Sequence, residues 1–329
     1  MFGVIFHWGL YSVPAYDYVV SARRRKTQNG SEWYLKRLLE NGNYRPIAGW
    51  KETQEYHSQN YNNVDYYNFE NSFAIMNPES KGIKIINWNP DNWMTLCKEI
   101  GASYVILTAK HHDGFCLWNT KTTDHNSYKS ICHKDILLEF ANSARRRGLR
   151  FGIYYSWLEF NKSCTIKYFD EVVIPQINEL MLYNPDIWWF DGDWECNSKY
   201  TNDKMIEICK LLKQRNPRVE INDRIGGKDN KKDINFLGES TYRVYSDREI
   251  PIVVPRVPWE HINTIGLSWG YNKQQESKDY KSLEQLFDLY KRVTVMGGRF
   301  LLNLGPKADG SLDENEVTRL RELGSLIRR

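Results

Sequence analysis

The sequence predicts an α/β fold, a (β/α)8-like (TIM-type) barrel, regular or irregular, as a single domain over residues 1–329. Short apolar runs alternate with amphipathic helical stretches from end to end, the pattern of a parallel sheet covered by helices. Polar side chains, His7, His111, His112, Tyr155, Asp191 and Asn222, fall just past strand ends along the whole chain. A closed barrel gathers so many strand ends at one mouth. A doubly wound sheet would concentrate them at one switch point, and no Gly-rich phosphate loop follows the first strand.

The elements follow in order. The run Gly3 to His7 is the first buried strand, with His7 at its carboxyl end, and residues 10–30 read as loop. Within that loop Arg23-Arg24-Arg25-Lys26 reads as a solvated basic run. Ser31 caps a short helix over 32–40. Residues 41–89 form a long, Asn- and Tyr-rich, irregular insertion, with Pro46, Pro78 and Pro90 as breakers; such insertions often join a binding face. The pattern then turns regular. A helix over 90–100 opens on Pro90, a strand covers 103–108, and a helix over 135–147 stops at Gly148 with arginines in its last turn. A strand over 150–155 leads to a helix over 166–183, with a kink expected at Pro175. A strand over 187–190, a helix over 203–214 and a strand over 218–222 come next. The chain ends with a helix over 282–295, a strand over 300–303 and a helix over 313–327, whose first turn holds Asp313, Glu314 and Glu316.

Composition narrows the function. Forty-five basic and 41 acidic residues are interspersed to a net charge of +4, too small and too mixed to indicate a nucleic-acid partner. Twelve Trp and 21 Tyr exceed what a core of this size needs, and such rings suit carbohydrate faces as well as packing. The cysteines at 97, 116, 132, 164, 196 and 209 show no CxxC pair or zinc-like spacing and read as buried free thiols. Met1 abuts the first strand, with no basic leader and no membrane-length apolar run. The expectation is a protein that neither enters nor crosses a membrane, and that is cytoplasmic if Met1 is the native start. An oligomer is compatible with the sequence.

The chemistry centres on Asp186-Ile187-Trp188-Trp189-Phe190-Asp191-Gly192. An apolar aromatic run between Pro185 and Gly192 is a buried strand, and alternation puts Trp189 and Asp191 on one face of it. A carboxylate beside a flat ring at a strand's carboxyl end suits a sugar-cleaving nucleophile; the bland alternative is an Asp capping the next turn. In Lys110-His111-His112-Asp113-Gly114-Phe115, two adjacent histidines in a turn can converge on ligand hydroxyls, or merely cap the loop. His7, His111, His112 and Asp191 could also offer three nitrogens and an oxygen to a metal. No pair has a ligating helical spacing, and the surrounding tryptophans favour a sugar, so neither a metal nor another cofactor is expected.

Several strings resemble, in order, the retaining α-L-fucosidases of glycoside hydrolase family 29. They are Phe2-Gly3-Val4-Ile5-Phe6-His7-Trp8-Gly9, Glu32-Trp33-Tyr34, Leu107 through Phe115, Gly148 through Ser156, Trp189-Phe190-Asp191-Gly192, Ser268-Trp269-Gly270-Tyr271, and Leu301 through Pro306 with Asp309-Gly310. The resemblance implies a catalytic barrel that removes terminal α-L-fucose from oligosaccharides or glycoconjugates with net retention. It implies Asp191 as nucleophile, and His7, Glu32, Trp33, His111, His112, Tyr155, Trp189 and Arg224 as the shell around the sugar. Order along the chain beyond Arg224 carries the acid/base to Glu239, with Glu260 in Trp259-Glu260-His261 as the rival. Trp33, Trp8 or Phe115 would supply an apolar patch for the 6-deoxy methyl group.

Such an enzyme needs two carboxyl groups about 5 to 5.5 Å apart, one attacking the anomeric carbon and one protonating the leaving oxygen. Members of the family are often secreted or lysosomal, and many continue into a β-sandwich after the last helix, whereas no such domain is expected here. A transfucosidase or related α-glycosidase is an alternative within enzymes, and a catalytically inactive, fucose-binding barrel is the alternative outside them.

Overall fold

The computed structural model describes residues 1–18, 30–43, 45–74, 88–196, 202–225 and 239–328. The basic run at 23–26 and residues 75–87 of the insertion lie outside them. Eight parallel strands form one curled sheet: β1 (Phe2–Phe6), β2 (Tyr104–Lys110), β3 (Arg150–Ser156), β4 (Ile187–Asp191), β5 (Glu220–Ile221), β6 (Arg243–Val244), β7 (Trp259–Thr264) and β8 (Arg299–Leu304). Their order is β5-β4-β3-β2-β1-β8-β7-β6, so the chain winds round an irregular barrel whose seam lies between β5 and β6. At that seam no ladder forms among the described residues. Thr241 bridges it instead, its N–H donating to the Ile221 carbonyl at 2.8 Å and its hydroxyl accepting from the Ile221 N–H at 2.8 Å.

Strand alternation sorts the core into two parts. Ile5, Tyr104, Ile106, Tyr154, Ile187, Trp189, Ile262 and Leu301 fill the barrel, while Val4, Phe6, Val105, Leu107, Phe151, Ile153, Tyr155, Trp188 and Phe190 face outward. The interior is tight enough to need glycine. A Cβ on Gly3 would lie 2.2 Å from the Tyr104 ring, so the absence of a side chain there lets that phenol cross the barrel.

The first helices are α1 (Tyr34–Leu38), which follows a 3-10 turn at Ser31–Trp33, α2 (Trp50–Tyr61), α3 (Pro90–Glu99) and α4 (Ile136–Arg146). The short α5 (Ile166–Tyr168) runs through a π-helical turn, Phe169–Val173, into α6 (Ile174–Met181). Then come α7 (Asp193–Cys196), α8 (Asn202–Arg215), α9 (Leu283–Val295) and α10 (Glu314–Ile327). Caps fix their starts: Asn89 and Asp135 accept from backbone N–H groups of α3 and α4, and Ser282 with Gln285 closes a capping box on α9. The π turn sits directly ahead of Pro175, where the helix must do without one backbone donor. No helix among the described residues is long and apolar enough to cross a membrane.

Three expectations need correction. The insertion over 41–89 is not all irregular, because α2 lies within it, followed by a 3-10 turn at Tyr66–Asn71. Two strands, β6 and β7, were not expected. Four cysteines, 97, 116, 132 and 209, are buried free thiols as expected, but Cys164 and Cys196 are joined in a disulfide.

Candidate active site

The carboxyl ends of the strands surround a small cavity. Asp191 ends β4 and faces inward with Trp189, two residues before it, as alternation requires. Its Oδ2 accepts from the Tyr154 hydroxyl at 2.8 Å and its Oδ1 from Arg224 at 2.9 Å. Burial pushes the Asp191 carboxyl above its ordinary range, and the Arg224 charge opposes that push. Arg224, on the loop after β5, also donates to Asp247 and to the Tyr245 carbonyl, and its guanidinium lies 4.7 Å from the Trp189 ring centre. One guanidinium therefore joins two carboxylates at a single cavity, for Asp247 lines it too.

The histidines enter from β1 and from the turn after β2. His7 Nδ1 lies 2.5 Å from Asn303 Oδ1, and the Asn303 amide donates to the Trp269 carbonyl at 2.7 Å. That orientation makes Nδ1 the donor and leaves Nε2 to accept from a ligand. His112 Nδ1 meets the Ser156 hydroxyl at 2.7 Å, whose own proton goes to the Leu158 carbonyl, and His112 Nε2 stands 3.7 Å from Asp191 Oδ2. His111 stacks on Tyr154 with ring centres 5.5 Å apart, and its buried Nδ1 has no partner among the described residues. Burial lowers all three, His7 to about 4, His112 to about 3 and His111 well below its ordinary value. Neutral imidazoles result, suited to exchanging hydrogen bonds with hydroxyls. Among the described residues no His, Cys, Asp and Glu side chains cluster in threes to hold a metal.

Glu32 is buried under the loop that follows β7, accepting from Gly30 N–H at 2.6 Å and Gly270 N–H at 3.1 Å. Trp33 lies edge-on to His112 at 5.9 Å and against Phe160 at 4.9 Å. Trp189 stacks on Tyr154 at 5.4 Å. His7, Glu32, Trp33, His111, His112, Trp189 and Asp191 thus all line the cavity, with Arg224 bonded to its carboxylates.

The other expected residues stand elsewhere. Tyr155 faces out of the barrel, where its hydroxyl donates to Gln176 at 2.7 Å and meets Lys110 Nζ at 3.2 Å; its neighbour Tyr154 takes the inward position. Glu239 turns to the helical layer and receives Lys213 of α8 at 2.6 Å. Glu260 is fully buried one layer below the mouth, accepting from Tyr104 at 2.6 Å and from Trp189 Nε1 at 2.9 Å. Asn222 braces β4 through both backbone groups of Phe190. Trp8 and Phe115 pack in the outer core, so of the three rings expected near the sugar methyl only Trp33 reaches the cavity. Tyr154, Trp194, Asp247, Ile262 and Trp269 line it without having been singled out as site residues, although Trp269 sits in one of the resembling strings.

A barrel whose mouth sets paired carboxylates among aromatic rings and neutral histidines has the build of a glycoside hydrolase. The chain belongs to the α-L-fucosidase family, whose model, described as Alpha-L-fucosidase, matches residues 1–329. It is 30% identical over 346 residues to an alpha-L-fucosidase of Dictyostelium discoideum, covering 99% of this chain and 68% of that one. It is 28% identical to the human tissue alpha-L-fucosidase, covering 99% of this chain and 66% of that one. The chain thus spans about two thirds of the length of these curated relatives. The Thermotoga maritima alpha-fucosidase in complex with fucose superposes with a TM-score of 0.80 at 32% identity, over 99% of this chain and 72% of that one.

Proposed function

We propose that this enzyme removes terminal α-L-fucose from oligosaccharides or glycoconjugates, with Asp191 as nucleophile and Asp247 as acid/base. The observation that carries the reading is the Arg224 guanidinium bonded to both carboxylates at one cavity. Fucose would enter with its anomeric carbon toward Asp191. An Asp191 oxygen forms a bond to that carbon as the bond to the leaving oxygen breaks, and Asp247 transfers its proton to that oxygen. The product is a β-linked glycosyl ester on Asp191. Water then attacks the same carbon, its proton returns to Asp247, and Asp191 departs with both its electrons, releasing α-L-fucose.

Arg224 fits both halves of this cycle. Its charge lies against Asp191 and opposes the effect of burial there, favouring the ionised carboxylate that a nucleophile needs. Once Asp191 is esterified its charge is gone, and Arg224 faces Asp247 alone, when Asp247 must act as a base. His7, His111 and His112, neutral and already oriented, would exchange hydrogen bonds with the sugar hydroxyls. Ile262 and Trp269 add apolar surface for the 6-deoxy methyl group. The acid/base is assigned to Asp247 rather than Glu239 because Asp247 lines the cavity, whereas Glu239 turns away from it toward Lys213.

Incubation with a chromogenic aryl α-L-fucoside, with the first-formed sugar followed by proton NMR, tests this function. Release of the aryl group together with α-L-fucose is expected. Binding without release, or β-L-fucose as first product, would overturn it.

A further inference from the structure

We infer that Trp194 is the platform on which the leaving group lies, taking the C–H face of a pyranose ring joined to the fucose. This rests on the proposed function.

The cavity is small, its lining drawn from one end of the barrel. Most of its lining is buried; among the described lining residues Trp33, Trp194 and Asp247 are the most open to solvent. Whatever is attached to the buried fucose must therefore lie along that rim. Asp247, there, is in position to meet the leaving oxygen. Trp194 is 48% exposed, an indole left open to water where most tryptophans of this chain are buried. One side of the ring is engaged, edge-to-face with His112 at 5.3 Å, and the exposed remainder is apolar surface at the cavity mouth. The axial hydrogens of a pyranose present a flat apolar face that such a ring can cover.

The ring is also held still. It sits in the four-residue α7, directly beyond Asp191 and Gly192, whose φ of +80° turns the chain sharply. Asp193 before it is buried, and Cys196 two residues on is bonded to Cys164 in the loop after β3. A platform fixed at both ends loses little freedom when a ring settles on it. An exposed tryptophan on a free loop would have no such advantage.

The test compares kcat/KM for a fucosyl disaccharide with that for α-L-fucosyl fluoride, whose leaving group has no ring. Trp194→Ala should lower the disaccharide-to-fluoride ratio about tenfold. Trp194→Phe, which keeps an aromatic face, should hold the ratio within about threefold of wild type. A fall of less than fivefold in Trp194→Ala, or a Phe variant no better than the Ala variant, overturns the platform. If the wild-type protein hydrolyses neither substrate, the proposed function has failed instead, so the two failures are told apart.

Discussion

The Tyr154 hydroxyl donates to Oδ2 of Asp191 at 2.8 Å, on the inner face of two adjacent strands, from a strand whose next residue points the opposite way. Tyr154 also stacks on Trp189 and His111, so the bond aims the carboxylate from a ring that is itself fixed. A hydrogen bond to a charged group contributes about 1.5 to 3 kcal/mol. Tyr154→Phe should therefore lower kcat/KM on an aryl fucoside by roughly 10- to 100-fold while the fold persists. Tyr155→Phe removes contacts to Gln176 and Lys110 in the outer layer and should lower thermal stability more than activity. The reverse ranking in kinetics of the two purified variants would show that Tyr155, not Tyr154, serves the site.

Asp191 itself should be removable without unfolding, because its partners are at a polar mouth. Asp191→Ala or Asp191→Gly should lower turnover by several orders of magnitude. Azide can occupy the vacated space and attack in its place, giving a β-configured fucosyl azide. Turnover close to wild type in a folded Asp191→Ala protein would remove this residue from the role.

Much of this was legible in the chain. Six of the eight strands can be read from the chain, five of them as apolar runs, and period-two alternation correctly puts Trp189 and Asp191 on one face. Strand β7, Trp-Glu-His-Ile-Asn-Thr, hides because its polar residues are satisfied internally: His261 meets the Glu249 carbonyl at 3.0 Å, and Glu260 takes Tyr104 and Trp189. Hydrophobic periodicity cannot report a strand stabilised that way. The same alternation could have separated Tyr154 from Tyr155, since Gly152 and Ser156 mark the inward parity of β3. Asp247 left no such signal. It lies on an aperiodic loop after the two-residue β6 and reaches the site through the chain's path, not through local pattern.

A buried acid away from the cavity sets a pH dependence of stability. Glu316, on the first turn of α10, accepts from Gly305 N–H at 3.0 Å, and burial pushes its carboxyl up to about 8. Between the unfolded value of about 4.5 and the folded value of about 8, the folded state holds the extra proton. Stability from this group is then fully present below pH ~4.5 and is lost as pH rises toward 8. Glu316→Gln keeps an acceptor for Gly305 and cannot ionise. It should be more stable than wild type by about 1 to 3 kcal/mol at pH 8, with the difference vanishing near pH 5. Chemical denaturation of both proteins across that range checks it, and a difference independent of pH would count against it.

The Cys164–Cys196 disulfide closes a loop 32 residues long between the segments that follow β3 and β4. Cross-linking a loop of that length restricts the unfolded chain and contributes on the order of 2 to 4 kcal/mol. The Cys164→Ser/Cys196→Ser double variant should unfold at correspondingly lower denaturant concentration, and a reductant should shift wild type toward it while leaving the double variant unmoved. Equal midpoints for all three would mean that the bond carries no such weight.

Asp247 is where the sequence and the geometry part most sharply, and leaving-group chemistry decides between candidates. A general acid matters most when the departing oxygen is a poor leaving group. Asp247→Ala should cost roughly 10²- to 10⁴-fold on a fucosyl disaccharide, whose sugar alkoxide needs a proton as it departs. On an aryl fucoside with an acidic phenol, the first step should suffer far less. The second step still lacks its base, so the glycosyl ester should accumulate, seen as a burst of phenol and as a mass increment on Asp191. Azide needs no base and should relieve that step, and after two inversions its product should have the α configuration. Glu239→Ala removes only the contact with Lys213 and should show no dependence on the leaving group. Glu260→Gln should act through Trp189 and Tyr104, lowering stability and slowing good and poor substrates alike. If Glu239→Ala gives the burst and the azide rescue, while Asp247→Ala slows both substrate types equally, the acid/base is Glu239 and the Arg224 bridge serves only to anchor the loop.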